Sequence, residues 1–332
     1  MVIEPMKSGT YELIDNHVHL FRADHLDPLL RDIDKTGIAK FCIQITGRDI
    51  GDPTGEQFPL ARLAQQRRPD KVFIFGGLDF SGMFDRHAST PDIPFETQLD
   101  RLIGSGYDGL KLLCGKPNHR QSINVPLDGE VFTPMLHKLE STGFPVLWHV
   151  SDPPEFWSEQ TVPLWAKAQG WWYPPGTPSK AQIDAEFANL LSRHPRLRLI
   201  RPHFAFRGDR LDEAAELLNR YPNLMLDLAP GIEMYHHFTA QHERAKAFFV
   251  RYFDRIIFGS DLGLPCGWHP DRAAFVLRFL ESNDLFDPPD DPCFQPDDRP
   301  KVRGLGLSRA EVEAITCFNF VRVVGRSPRG LR

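Results

Sequence analysis

Residues 13–20, Leu-Ile-Asp-Asn-His-Val-His-Leu, decide how the rest of the chain is read. The stretch is short and largely apolar, with β-branched residues at Ile14 and Val18, and reads as a buried strand. Side chains alternate across a strand, so Asp15, His17 and His19 are expected on one face. Ile14, Val18 and Leu20 then fall on the other, facing helices. Two neutral imidazoles at adjacent same-face positions are close enough to hold one cation. The plainer alternative is a pair of hydrogen-bonded structural histidines, and the metal reading needs further ligands elsewhere in the chain.

Outward from this stretch the same kind of segment returns. Strands are expected at Leu13–Leu20, Lys40–Thr46, Lys71–Asp79, Gly109–Leu113, Pro145–Val150, Leu197–Phe204, Asn223–Leu228 and Arg255–Asp261. Helical patterns lie between them at Asp24–Thr36, Pro59–Arg68, Phe95–Ser105, Leu127–Thr142, Ser179–His194, Asp209–Arg220 and His242–Tyr252. Thr36-Gly37 and Thr142-Gly143 supply C-terminal glycines, and His194-Pro195 and Tyr221-Pro222 stop helices before the next strand. Eight strands with intervening helices predict an α/β protein, a closed parallel (β/α)8 TIM barrel; an open doubly wound sheet shows similar alternation. One domain over 1–332 is expected, its barrel core about 13–281 and its C-terminal extension, 282–332, carrying a helical pair around Leu307–Val324.

Composition narrows the function class. With 332 residues, 41% of them hydrophobic, and a net charge of −5, the chain has ample material for a large core and no basic stripe for nucleic acid. Cys42, Cys114, Cys266, Cys293 and Cys317 are scattered and odd in number, the pattern of reduced thiols in a cytoplasm. Met1 to Thr10 lacks the apolar run of a signal peptide, and no stretch is long enough to span a membrane.

One segment breaks the rhythm. Asp152–Pro178 is an insertion rich in proline and in Trp157, Trp165, Trp171, Trp172 and Tyr173. Long loops within compact domains usually serve function. It is expected to fold over the barrel mouth, with Trp171 and Trp172 gripping substrate; a homodimer contact is the rival use for those aromatics.

Active sites of such barrels lie at the C-terminal ends of the strands. Those ends carry His17 and His19, then Lys111, His149, His203 and Asp261. His149 shares strand parity with Leu147, His203 with Leu199 and Asp261 with Ile257, so all are expected to face the mouth.

The motifs Asp-Asn-His-Val-His (15–19), Gly-Leu-Lys-Leu (109–112), Pro-Val-Leu-Trp-His-Val (145–150), Leu-Ile-Arg-Pro-His-Phe (199–204) and Ile-Ile-Phe-Gly-Ser-Asp (256–261) together resemble the amidohydrolase superfamily. Within it the chain is similar to the amidohydrolase-2 branch, which includes aminocarboxymuconate-semialdehyde decarboxylase and pyrone-dicarboxylate lactonase. Ile315–Gly325 resembles that branch's closing helix. The resemblance implies a divalent metal, zinc first with manganese or iron as alternatives, held by His17, His19, His149 and Asp261 with His203 beside it. One departure stands out: many members have a glycine-rich turn after the strand-six histidine, where this chain has Phe204-Ala205-Phe206-Arg207.

The implied chemistry stands on its own terms. Such a metal polarises a water and brings its pKa from about 15.7 towards about 7. Asp261 is the candidate base, and His203 the candidate group to stabilise charge or shuttle a proton. Lys111 is either a carbamylated bridge between two metals or a plain lysine that binds substrate. Arg48 and Arg207 are candidates to clamp a substrate carboxylate, or else surface salt-bridge partners. Asp227 supports the site or is a core carboxylate; His236, His237 and His242 read as solvated, and His25, His87, His119, His137, His194 and His269 as structural or exposed. The reading that emerges is a hydrolase of a small carboxylate, ester or lactone. A non-oxidative decarboxylase on the same scaffold is the alternative reaction, and a non-catalytic ligand-binding barrel the alternative class.

Overall fold

The computed structural model describes residues 12–49, 52, 54–86, 88–263, 269–291 and 300–325. The amino-terminal stretch, His87, Cys266 and Cys293 lie outside them, as do the other residues of 292–299. Eight parallel strands follow one another in spatial order. They are β1 (Leu13–Val18), β2 (Ile38–Gln44), β3 (Val72–Gly76), β4 (Gly109–Gly115), β5 (Val146–Val150), β6 (Leu199–Arg201), β7 (Leu224–Asp227) and β8 (Ile256–Ile257). The Asn16 N–H donates to Phe258 O at 3.1 Å and the His19 N–H to Leu262 O at 2.7 Å, which brings the last strand round to the first. The expected TIM barrel is the fold.

Helices coat the barrel for the reason their sequences predict. In Leu26–Thr36, Leu26, Leu29, Leu30 and Ile33 recur on one face and all are buried. Gly37 ends the helix at φ 76°, where a Cβ would be strained. Helices Ser81–Arg86, Pro117–Ile123, Ile232–Ala240 and Asp271–Glu281 were not expected; three are short or polar, and their apolar periodicity is weak.

Two packing layers result. Leu13, Val18, Leu110, Leu112, Val146 and Trp148 face the helices. Ile14, Cys42, Phe73, Phe75, Leu147, Ile200, Met225 and Ile257 fill the barrel interior. Simple alternation fails in β1, where Ile14 points inward instead of against helices. The β1–β2 register slips between Asp15 and Val18, and a one-residue slip exchanges the two faces. The C-terminal segment Arg309–Val324 closes the barrel floor with Phe320, Val323 and Val324. Phe320 lies edge-on to Phe73 at 5.1 Å and stacks on Phe75 at 6.2 Å.

Candidate metal centre

The strand ends open into a cavity of about 410 Å³. At its base, ligand atoms of His17, His19 and Asp261 all lie within 4.8 Å of one another. Asp261 Oδ1 is 3.6 Å from His17 Nε2 and 3.4 Å from His19 Nε2. That oxygen is buried and has no hydrogen-bond partner among the described residues. The imidazoles are held by their other nitrogens: His17 Nδ1 to Asp227 Oδ2 at 2.9 Å, and His19 Nδ1 to Gln44 O at 3.0 Å. Each Nδ1 therefore carries the proton, and each Nε2 lone pair faces Asp261. Two nitrogen lone pairs and an orphan carboxylate oxygen on one point are a donor set that fits a divalent cation.

Asp227 makes this arrangement rigid. It accepts from Asn16 Nδ2, His17 Nδ1, the His203 N–H and the Ala229 N–H, tying β1, β6 and β7 to one carboxylate. Asp15 does similar work beside it, accepting from the His17 and Ser260 N–H groups.

His203 and His149 extend the array. Ring centroids are 5.4 Å apart for His17–His203 and 5.1 Å for His149–His203. His203 Nδ1–H donates to Ala229 O at 3.1 Å, leaving Nε2 open. His149 stands outside the three-residue cluster; its Nε2 is 3.0 Å from Asp152 Oδ1, which leaves Nδ1 as its remaining nitrogen.

The route by which His203 reaches the mouth differs from strand parity. Leu199 packs outside the barrel and Ile200 inside, and β6 ends at Arg201. His203, Phe204, Ala205 and Phe206 then have φ of 54°, 52°, 53° and 53°. Left-handed backbone costs a residue with a Cβ roughly 1–2 kcal/mol, and this is the turn where relatives were expected to carry glycine. Buried Phe204 offsets the cost by packing on Phe238, Phe248 and Phe249. Asp261 is also left-handed, at φ 55°, and buried Arg272 holds its carbonyl through an Nη1–H bond of 2.9 Å.

Burial sets the protonation states. It pushes His17 and His149 well below the usual imidazole range, lowers His19, and takes His203 down to about 4, so all four rings are neutral near pH 7. Asp261 is held well below the ordinary carboxylate range despite its burial, so it is the charged acid of the cluster. Lys111 sits inside, its Nζ 3.2 Å from His17 Nε2, and burial lowers it to about 8.

The insertion covers the mouth. Asp152, Pro153, Phe156, Trp165 and Trp171 line the cavity, opposite Phe206 and Lys116. Trp172 does not; its ring lies under Lys167 at 4.7 Å. Neither arginine proposed as a clamp reaches the cavity. Arg48 pairs with Asp79 at 3.0 Å, and Arg207 is engaged by Ala205 O, Asp184 and Glu213. Conversely, His25 and His119, expected to be structural or exposed, line the cavity, as does Glu233. His236, His237 and His242 are partly buried rather than solvated, and His242 Nε2–H donates to Gly304 O. Lys116, Asp152 and Glu233 carried no sequence signal beyond being polar residues near strand ends.

A family model described as Amidohydrolase matches residues 14–326. No curated protein matches the chain. Among solved structures, the chain is similar to a dihydroxybenzoic acid decarboxylase from a Polaromonas species with bound manganese and the inhibitor 2-nitroresorcinol (13% identity, TM-score 0.55, 95% of this chain and 97% of that one). It is also similar to a putative 2-pyrone-4,6-dicarboxylic acid hydrolase from Pseudomonas putida (15%, 0.50, 96% and 98%). A third is an amidohydrolase from Burkholderia multivorans with bound zinc (12%, 0.56, 95% and 99%). At these identities the likeness is one of fold.

Proposed function

The chain belongs to the amidohydrolase family, a family for which a divalent metal is expected, and from that premise we propose that it hydrolyses a small carboxylated ester or lactone. The observation that carries this reading is the buried Asp261 Oδ1, without a hydrogen-bond partner among the described residues, facing the Nε2 lone pairs of His17 and His19. In this reading His17, His19 and Asp261 hold the metal, with His149 Nδ1 as the remaining ligand nitrogen. When bound, the metal supplies Lewis-acid polarisation and lowers the pKa of water. Asp261 takes the proton of the attacking water. His203, neutral and with Nδ1–H spent on Ala229 O, accepts that proton from Asp261 at Nε2 and passes it to the leaving oxygen, so Asp261 ends ionised as it began. Lys111 offers positive charge to the substrate carboxylate, and Phe156, Trp165, Trp171 and Phe206 exclude water from it.

The same aromatic walls favour a second reading, decarboxylation of a flat unsaturated acid, in which Asp261 takes a proton from water and passes it to the carbon that loses carbon dioxide. Among the described residues the thiols of Cys42, Cys114 and Cys317 are free and buried, which supports a cytoplasmic setting, and no described helix is long and apolar enough to cross a membrane. The test is metal analysis of the purified protein, followed by a panel of lactones, esters and unsaturated acids that all carry a carboxylate. Ring opening or ester cleavage without gas supports hydrolysis; release of carbon dioxide replaces it with the decarboxylase. Tight ligand binding with no turnover across the panel would leave the non-catalytic barrel.

A further inference from the structure

Asp152 joins three parts of the molecule that the barrel alone does not connect. It directly follows β5 and the left-handed Ser151 (φ 68°) and is 2% exposed. Its Oδ1 lies 3.0 Å from His149 Nε2. Its Oδ2 accepts from Lys116 Nζ, beyond the end of β4, at 2.6 Å, and from the Tyr173 hydroxyl. Tyr173 belongs to the insertion's own small core with Phe156, Val162 and Ala166. The other side of Lys116 is covered by the Trp171 ring at 4.1 Å. Lys180 pins the turn by donating to Ser151 Oγ at 2.9 Å and Asp152 O at 3.2 Å.

The charges agree with a fixed junction. Burial would raise the Asp152 carboxyl, but Lys116 and then His149 hold it far below the ordinary carboxylate range. A buried carboxylate that accepts from an imidazole fixes the tautomer and the ring plane of that imidazole. With the insertion seated, Asp152 has Tyr173 and the Trp171-covered Lys116 on Oδ2, so Oδ1 stays on His149. With the insertion lifted, the Tyr173 hydroxyl and the Trp171 cover of Lys116 go, and Oδ2 keeps only an uncovered Lys116, a weaker hold on the carboxylate against His149.

We propose that Asp152 is a positioning residue that couples seating of the aromatic lid to the orientation of His149. This rests on the metal reading above, in which His149 Nδ1 is a ligand. Coupling of this kind is reciprocal: a seated lid tightens metal binding, and bound metal seats the lid.

The test uses the full chain stripped of metal with a chelator, titrated with zinc by calorimetry, with acrylamide quenching of tryptophan fluorescence read in parallel. Wild type is expected to bind zinc and to become less quenchable on binding. Tyr173→Phe, whose ring lies outside the cavity, should weaken zinc roughly tenfold, the lower end for loss of a partner behind a ligand. Asp152→Asn should weaken it at least as much and abolish the change in quenching. Trp172→Ala, off the cavity, should bind zinc as wild type does. Wild-type binding with unchanged affinity and quenching in both Tyr173→Phe and Asp152→Asn overturns the coupling alone. A wild-type protein that takes up no zinc overturns the metal reading, and this proposal with it. Asp152→Asn and Tyr173→Phe preserve shape, and a thermal melt of each confirms that the fold is intact.

Discussion

At the floor of the barrel, Phe320 meets Phe73 and Phe75 with no polar partner required. At the mouth, four histidines, Lys111 and Asp261 are almost as deeply buried, yet each imidazole spends one nitrogen on a specific acceptor, and Asp261 Oδ1 has no donor among the described residues. The backbone follows the same division. Left-handed residues with side chains cluster at the mouth, at Ser151, His203–Phe206 and Asp261. Strain and unsatisfied polarity at one end are sustained by dense apolar packing at the other, a division common at functional sites.

The largest effect should come from the floor. Phe320→Ala opens a cavity under β3 and should cost about 3–5 kcal/mol of stability by urea unfolding. Metal bound per folded molecule should not change. Metal loss at unchanged stability would show that the two ends are not independent.

At the mouth the order is reversed, with little stability at stake and most of the activity. His17→Ala should strip the metal, and Asp261→Asn should lower kcat by at least about a hundredfold, the lower end for a general base. His203→Asn should also depress kcat while metal stays at one per chain. Two metals per chain, with Lys111 carbamylated between them, would replace the single-metal account.

The lid should respond more weakly and selectively. Trp171→Ala is expected to raise KM by roughly tenfold, the loss of one aromatic contact, whereas Trp172→Ala should leave it unchanged. Equal effects in the two variants would mean that the lid acts as a whole rather than through its cavity-lining ring.

The smallest effect concerns Glu233, at the cavity wall, whose carboxyl is pushed by burial from 4.5 up to about 7. The unfolded chain loses this proton near 4.5, while the folded chain keeps it to about 7. The stability it contributes in acid therefore declines as pH rises between those values. Glu233→Gln should flatten that part of the stability profile; identical slopes for variant and wild type would remove Glu233 from the account.

Much of this was legible in the chain because it is local. Strand and helix positions follow from apolar periodicity and from Gly and Pro punctuation, and every expected strand is found, with ends differing by a few residues. His17, His19, His203 and Asp261 were identifiable because a barrel presents its strand ends on one rim. What escaped was set by contacts distant in sequence. The slip in β1 depends on pairing with β2, and so places Ile14 inside against the reading from alternation alone. Arg48 and Arg207 carried suitable chemistry, but nearer carboxylates took them away from the cavity.

By itself, then, the sequence determined the barrel and marked His17, His19, His149 and Asp261 as candidates at its mouth, since both follow from the order of residues along each strand. The tertiary structure alone decided the direction of each imidazole. That depends on which acceptor lies behind it: Asp227 from β7, Gln44 O from β2, Ala229 O beyond β7, and Asp152 at the root of the lid. A ring nitrogen becomes available to a metal only when its partner nitrogen is satisfied, and residues far apart in the chain supply most of that satisfaction.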